Sequence, residues 1–116
     1  MEDRIRIQGL KLETVIGVPD EEREASQLVA VDVEIVPANR FDQLNDEIDG
    51  TVDYFEVTQA LKRVAGKGER RLIETLADDL AKAILKFAHV ESVQVEIRKF
   101  ILPETDHVSV STRRSH

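Results

Sequence analysis

Hydrophobic and polar residues alternate in four segments of the chain, and each alternation predicts a β-strand. The first segment, residues 5–12, changes phase at Gly9, where a glycine suits a β-bulge. The second and third cover residues 29–35 and 93–99, and a weaker fourth one covers residues 108–111. Because successive side chains in a strand point to opposite faces, each segment has one apolar face that can cover a core.

Two longer segments between the second and third strands have apolar residues at helical spacing. The first follows Asp53, which forms the pattern of a capping box with Glu56, and it ends at Gly66. The second covers residues 72–87. The order β-β-α-α-β-β groups the strands in pairs and predicts one α+β domain over residues 1–116. We expect a four-stranded antiparallel sheet with both helices packed on one face.

Lys99 occupies an apolar position of the third predicted strand. It shares a strand face with Val95 and Ile97, where a charge costs free energy unless it lies at the rim or has a function. One explanation is structural: the strand ends there and the ammonium group reaches solvent. The other is functional, because a lysine in such a position can carry protons. The position alone favours the structural explanation, since lysines are almost never fully buried.

Composition argues against several classes of function. The 116 residues carry a formal net charge of −7 at pH 7, which would repel nucleic acid. The chain has no cysteine, and His89, His107 and His116 lack the spacing of zinc ligands, so we expect no metal site. No apolar run approaches the ~20 residues that span a membrane, and residues 1–4 lead into a strand without a signal peptide. These features predict a cytoplasmic protein without a membrane partner.

Several other polar features have both a structural and a functional explanation. Glu74 lies in the first turn of the second helix, where the helix dipole stabilises a carboxylate. Tyr54, the only tyrosine, begins an apolar helical stripe and could pack in the core. The acidic loop 16–24 and the basic turn 66–71 are typical of solvated surface, and the turn lacks P-loop spacing. Taken singly, each feature favours its structural explanation.

Taken together and in order, these pieces resemble the dihydroneopterin aldolase family. The resemblance spans nearly the whole chain and rests on Ile16-Gly17-Val18, Glu22, Gln27, Val52-Asp53-Tyr54, Leu72-Ile73-Glu74-Thr75-Leu76-Ala77 and Lys99. It implies the tunnelling fold (T-fold), in which the strands of several subunits close a β-barrel without open edges. It also implies a homotetramer or homo-octamer with active sites between subunits. The scarcity of aromatic residues, and so a small core, agrees with burial across an interface.

The resemblance assigns a role to each matching residue. Glu74 would bind the guanidine-like edge of a pterin, because a carboxylate accepts two parallel hydrogen bonds from such an edge. Lys99 would be the principal acid–base residue, and Glu22 would hold the hydroxyl groups of the substrate. Tyr54 would come from a neighbouring subunit, cover the ring and take part in proton transfer. The remaining substrate contacts would come from the matched motifs, namely Ile73, Val52, Asp53 and Val18.

The implied reaction is a retro-aldol cleavage in folate biosynthesis. It converts 7,8-dihydroneopterin into 6-hydroxymethyl-7,8-dihydropterin and glycolaldehyde. Neither a metal nor a cofactor is implied, because the pterin itself, protonated at its ring, accepts the electrons.

A dihydroneopterin triphosphate 2′-epimerase is one alternative. Aldolases of this family usually have a proline directly after the catalytic lysine, whereas Phe100 stands there in this chain. The epimerase can carry an apolar residue at that position. A triphosphate would also need cations nearby, and Lys67, Arg70 and Arg71 directly precede the second helix.

A T-fold protein that binds a pterin or purine without turnover is the other alternative. Such a protein would keep Glu74 but could dispense with Lys99 and Glu22. The presence of both residues in this chain favours an enzyme.

Overall fold

The computed structural model describes residues 2–116; Met1, the first residue of the predicted domain, lies outside the described residues. The elements are β1 (Ile5–Thr14), β2 (Gln27–Pro37), α1 (Tyr54–Gly66), α2 (Ile73–Leu85), β3 (Val90–Lys99) and β4 (Val108–Ser115). Short 3₁₀ turns lie at Asp20–Glu24, Phe41–Gln43 and Ile48–Gly50. The strands form one antiparallel sheet in the order β1-β2-β3-β4, so the predicted order of elements and the α+β class are confirmed.

The predicted β-bulge lies in β1. The register between β1 and β2 shifts between Ile7 and Leu10, and Gly9 has a φ of 71°, a conformation that glycine adopts without steric cost. The backbone N–H of Gly9 donates a hydrogen bond of 2.7 Å to Asp32 on β2. The bulge lets apolar residues before and after it face the same core.

Both helices cover one face of the sheet. The carboxylate of Asp53 accepts hydrogen bonds from the amides of Phe55 and Glu56, which fixes the start of α1. α2 ends at Leu85, slightly before the predicted end at Phe87. The core between helices and sheet consists of aliphatic side chains, the largest being Leu12, Ile16, Ile35, Leu61, Leu76, Leu80, Ile84 and Ile97.

A short backbone bridge connects the loop after β1 to the turn between the helices. The N–H of Arg70 donates to the carbonyl of Val15 at 3.0 Å, and the N–H of Gly17 donates to the carbonyl of Arg70 at 3.1 Å. This bridge holds the loop near the start of α2. Gln27 begins β2 and Lys99 ends the antiparallel strand β3, so both lie at this same end of the sheet.

Candidate active site

Lys99, the last residue of β3, forms an ion pair with a carboxylate from another part of the chain. Its side chain is only 11% exposed, and its Nζ lies 2.6 Å from Oε2 of Glu22. The structural explanation required a lysine that reaches solvent at the end of the strand. Lys99 is not solvated in this way, so that explanation is wrong. An ammonium group so little exposed and paired with one carboxylate can donate a proton or a hydrogen bond to a molecule that lies against it.

Glu22 lies in the 3₁₀ turn between β1 and β2, and its side chain is 18% exposed. The side-chain amide of Gln27 donates to Oε2 of Glu22 at 3.1 Å and to the carbonyl of Ile16 at 2.9 Å. Burial pushes the pKa of Glu22 upwards. The hydrogen bonds from Lys99 and Gln27, together with the charge of Lys99, outweigh burial and hold that pKa below its ordinary value. Glu22 is consequently ionised at neutral pH.

Gly17 leaves the space that the Glu22 side chain fills. A Cβ atom at residue 17 would overlap Cβ, Cδ and Oε1 of Glu22. The φ of Gly17 is 152°, which side chains rarely allow. The loop can therefore place Glu22 against Lys99 only with glycine at this position.

Arg23 forms several hydrogen bonds to the loop of which it is a part. The sequence did not identify it as a site residue. Its side chain is 9% exposed. One terminal nitrogen donates to the carbonyls of Gly17 at 2.6 Å and Val18 at 2.9 Å, and the other donates to Asp20 at 2.5 Å. Its Nε donates to Glu69 at 3.1 Å. The only signal in the sequence was one arginine within an acidic run.

The other two principal residues of the predicted site are exposed. Glu74 lies in the first turn of α2, close to the backbone bridge. Tyr54 is 65% exposed at the start of α1, so core packing is the wrong explanation for it. α1 rises about 1.5 Å per residue, which separates Tyr54 by about 18 Å from the end of α1 that leads into the bridge. A single chain thus brings Lys99, Glu22 and Glu74 to one end of the sheet, but not Tyr54.

The remaining predicted contact residues differ in exposure. Val52 and Ile73 are buried, whereas Val18 is 63% exposed. One carboxylate oxygen of Asp53 is occupied by the two amides at the start of α1. Their contacts with a substrate therefore remain a prediction.

The basic turn before α2 is only partly available to a ligand. Nε of Arg70 donates to Asp79 at 2.8 Å, and its terminal nitrogen donates to the carbonyl of Val64 at 3.1 Å. Its side chain is only 12% exposed. Arg70 is therefore a structural residue of the turn, whereas Lys67 and Arg71 are exposed.

Phe100, at the position where aldolases of this family usually have a proline, is also exposed. Its ring packs edge-to-face on His107, with 6.1 Å between centroids, and Ile101 and Leu102 are exposed beside it. The connection from β3 to β4 thus presents an apolar surface directly after Lys99.

The described part of the chain offers no arrangement of three or more His, Cys, Asp or Glu side chains that could hold a metal ion. Within residues 2–116, none of the helices has the length and the apolar run needed to cross a bilayer.

Comparison of the sequence and the fold with known proteins points to the same family as the residues of the candidate site. The model of the dihydroneopterin aldolase family matches residues 5–113. A dihydroneopterin aldolase from Streptomyces coelicolor is 34% identical over 97% of this chain and 98% of its own length. A dihydroneopterin triphosphate 2′-epimerase from Pseudomonas aeruginosa is 29% identical over 83% of this chain and 78% of its own length.

A solved structure from Vibrio cholerae, assigned as dihydroneopterin aldolase, superposes with a TM-score of 0.92. The two proteins are 26% identical, and the superposition covers 100% of this chain and 99% of the other. The subunit architecture of the tunnelling fold that the resemblance implied, a four-stranded antiparallel sheet with two helices, is thereby confirmed. A match to the family model over nearly the whole chain, together with the full-length relatives, shows that this chain belongs to the dihydroneopterin aldolase family.

Proposed function

We propose that the chain cleaves 7,8-dihydroneopterin into 6-hydroxymethyl-7,8-dihydropterin and glycolaldehyde, as a step of folate biosynthesis. The observation that carries this proposal is the pair of Lys99 and Glu22, 2.6 Å apart at the end of the sheet where α2 presents Glu74. This cleavage requires a proton carrier, a group that holds the substrate's hydroxyl groups and an anchor for the pterin. Lys99, Glu22 and Glu74 would fill these roles in that order.

Lys99 would supply protons to the pterin ring. In the reaction, the hydroxyl group beyond the breaking bond loses its proton, and the carbon–carbon bond breaks to release glycolaldehyde. The electron pair moves into the protonated ring. Protonation of the remaining carbon, with loss of the proton that the ring had taken up, then gives the hydroxymethyl product. The ammonium group of Lys99 lies at the end of an apolar strand face, where its interaction with a developing charge is stronger than in water.

The two carboxylates would bind opposite ends of the substrate. Glu22 is kept ionised by its lowered pKa and can accept hydrogen bonds from the hydroxyl groups of the side chain. Glu74 is exposed at the start of α2 and can accept paired hydrogen bonds from the pterin edge. The backbone hydrogen bond between Gly17 and Arg70 connects the loop of Glu22 to the turn before α2 and would help to set the distance between these two binding groups.

The complete site would lie between subunits. Tyr54 is exposed and lies far from Lys99 in its own chain, so we propose that it reaches the site of a neighbouring subunit. β1 and β4 are the edge strands of the sheet and could pair between subunits to close a barrel. We therefore propose that the protein is a homotetramer or homo-octamer in which each chain forms one T-fold domain. We also propose that it acts in the cytoplasm.

The direct test is the formation of both products from dihydroneopterin by the purified protein. We expect glycolaldehyde and 6-hydroxymethyl-7,8-dihydropterin in equal amounts, at the same rate with and without a chelator. Lys99→Met should abolish cleavage, and Lys62→Met, at an exposed position of α1, should not. Cleavage that persists in Lys99→Met would contradict the proposed role of the lysine.

Epimerisation of dihydroneopterin triphosphate is a second candidate function. Lys67 and Arg71 are exposed beside the start of α2, where they could meet phosphate groups. If the triphosphate is a substrate, replacing both by alanine should lower the rate with the triphosphate but not with dihydroneopterin. The matched control replaces Lys62 and Arg63, two exposed cations of α1. Equal effects of the two double variants would argue against a phosphate site.

A further inference from the structure

We propose that Arg23 is a positioning residue of the active site, which holds the loop so that the carboxylate of Glu22 stays against Lys99. The kinetic part of this proposal rests on the proposed aldolase function. Arg23 itself would not touch the substrate, since four of its five donors are already engaged by the protein.

Most of the hydrogen-bonding capacity of Arg23 is used by the loop itself and by the turn before α2. A guanidinium group has five N–H donors, and the structure gives four of them an acceptor. Two acceptors are the neutral backbone carbonyls of Gly17 and Val18, and two are the carboxylates of Asp20 and Glu69. The side chain is nine-tenths buried. A buried arginine with this many directed bonds fixes the backbone that surrounds it.

The backbone that Arg23 fixes is the backbone on which Glu22 rests. Side chains bind three successive carbonyls, with Gln27 on Ile16 and Arg23 on the next two. The Glu22 side chain fills the space that the missing Cβ of Gly17 leaves. A shift of the backbone at Gly17 must therefore move the Glu22 carboxylate relative to Lys99.

Arg23 also connects the two halves of the site. Its Nε donates to Glu69, which lies in the turn directly before α2, and the N–H of Gly17 binds the carbonyl of Arg70 in the same turn. The start of α2 carries Glu74. Arg23 thus helps to set the spacing between the group that would bind the pterin and the pair that would bind the hydroxylated side chain.

The kinetic test compares Arg23→Met with Arg40→Met. Arg40 is a matched control, because it pairs with one carboxylate, Asp42, on an exposed loop beyond the opposite end of β2. We expect Arg23→Met to lower kcat for dihydroneopterin about 10- to 100-fold, because small displacements of reacting groups have effects of this size. Affinity for the product 6-hydroxymethyl-7,8-dihydropterin, measured by fluorescence titration, should change far less, because the product lacks the part of the side chain that is cleaved off.

A double-mutant cycle separates positioning from general damage to the fold. In the Glu22→Gln background, Arg23→Met should reduce kcat only slightly further, because the group that Arg23 positions is already altered. A reduction as large as in the wild type would show that Arg23 acts independently of Glu22 and would overturn the proposal. Arg23→Lys keeps the charge without the fork of donors. It should also lower kcat, and it serves as the variant if Arg23→Met does not fold.

A second readout does not depend on aldolase activity. In a carbon-13 NMR titration of the glutamate carboxyl groups, Glu22 should titrate at higher pH in Arg23→Met than in the wild type, because Lys99 and Gln27 no longer hold it. In Arg40→Met it should not move. If the wild type lacks aldolase activity but Glu22 shifts in this way, the proposed function fails and the positioning role stands. An unchanged titration of Glu22 in Arg23→Met would refute the positioning role.

Discussion

Replacing Lys99 by methionine should reveal the free energy held in its pair with Glu22. Methionine fits the apolar strand face and retains most of the unbranched stem, so the ammonium group is the main loss. The remaining Glu22 carboxylate would be little exposed and without its cation. We expect the fold to lose stability and the active site to lose its proton carrier.

The structure gives the magnitude of this effect. At 2.6 Å and an effective dielectric constant of 20, the Coulomb attraction is about 6 kcal/mol, most of which offsets the desolvation of the two ions. Removing one partner of a buried pair costs about 3–5 kcal/mol. Because Glu22 retains 18% exposure, water can partly solvate it, and we expect the lower end, about 3 kcal/mol.

The loss should depend on pH with a definite sign. The pKa of Glu22 is lowered in the folded state from its ordinary value of 4.5. Its pairing with Lys99 therefore stabilises the fold fully at a pH above 4.5, and this stabilisation is lost as the pH falls through the lowered pKa. Without Lys99, burial would push the pKa of Glu22 upwards. The difference in stability between the wild type and Lys99→Met should therefore be largest near neutrality and shrink towards about pH 4.

Urea unfolding at fixed protomer concentration measures this difference. Lys62→Met is the control, because lysine and methionine have similar helix propensity and residue 62 is exposed on α1. The double variant Glu22→Gln with Lys99→Met should recover much of the loss, since it removes the unpaired charge. The reasoning is refuted if Lys99→Met is as stable as the control at neutral pH, or if its deficit does not change with pH.

Three further predictions follow from the same site. Glu74→Gln should lower neopterin affinity about 10- to 100-fold in a fluorescence titration, because a charged acceptor is lost; unchanged binding would mean that the pterin anchor lies elsewhere. Gly17→Ala should destabilise the protein by about 1–3 kcal/mol through its clash with the loop carboxylate. The control Gly66→Ala, with nothing near the added Cβ, should not destabilise it. Tyr54→Phe and Lys99→Met should each be less active alone, but co-refolding the two variants should regain activity if the site is shared between subunits. No gain in the mixed oligomers would contradict a site to which Tyr54 and Lys99 come from different subunits.

The elements of the fold could be predicted from the sequence because their signals are local. Alternation along 93–99 fixed which residues face the core and placed Lys99 among them. Asp53 at a helix start and Gly9 at a change of phase marked a cap and a bulge, both of which the structure contains. Strand and helix periods follow from backbone geometry alone, so one sequence suffices to recognise them.

The tertiary structure decided which polar residues meet. The sequence could treat Arg70 as a cation for a phosphate, but its bonds to Asp79 and to a backbone carbonyl make it part of the turn. The sequence singled out Lys99 and Glu22, whereas their contact depends on how the loop returns to the sheet. Arg23 gave only the weak signal of one arginine in an acidic run, because backbone carbonyls that converge on a side chain leave no pattern in residue types. Residue types thus determined which chemistry was available, and the path of the backbone determined where it was assembled.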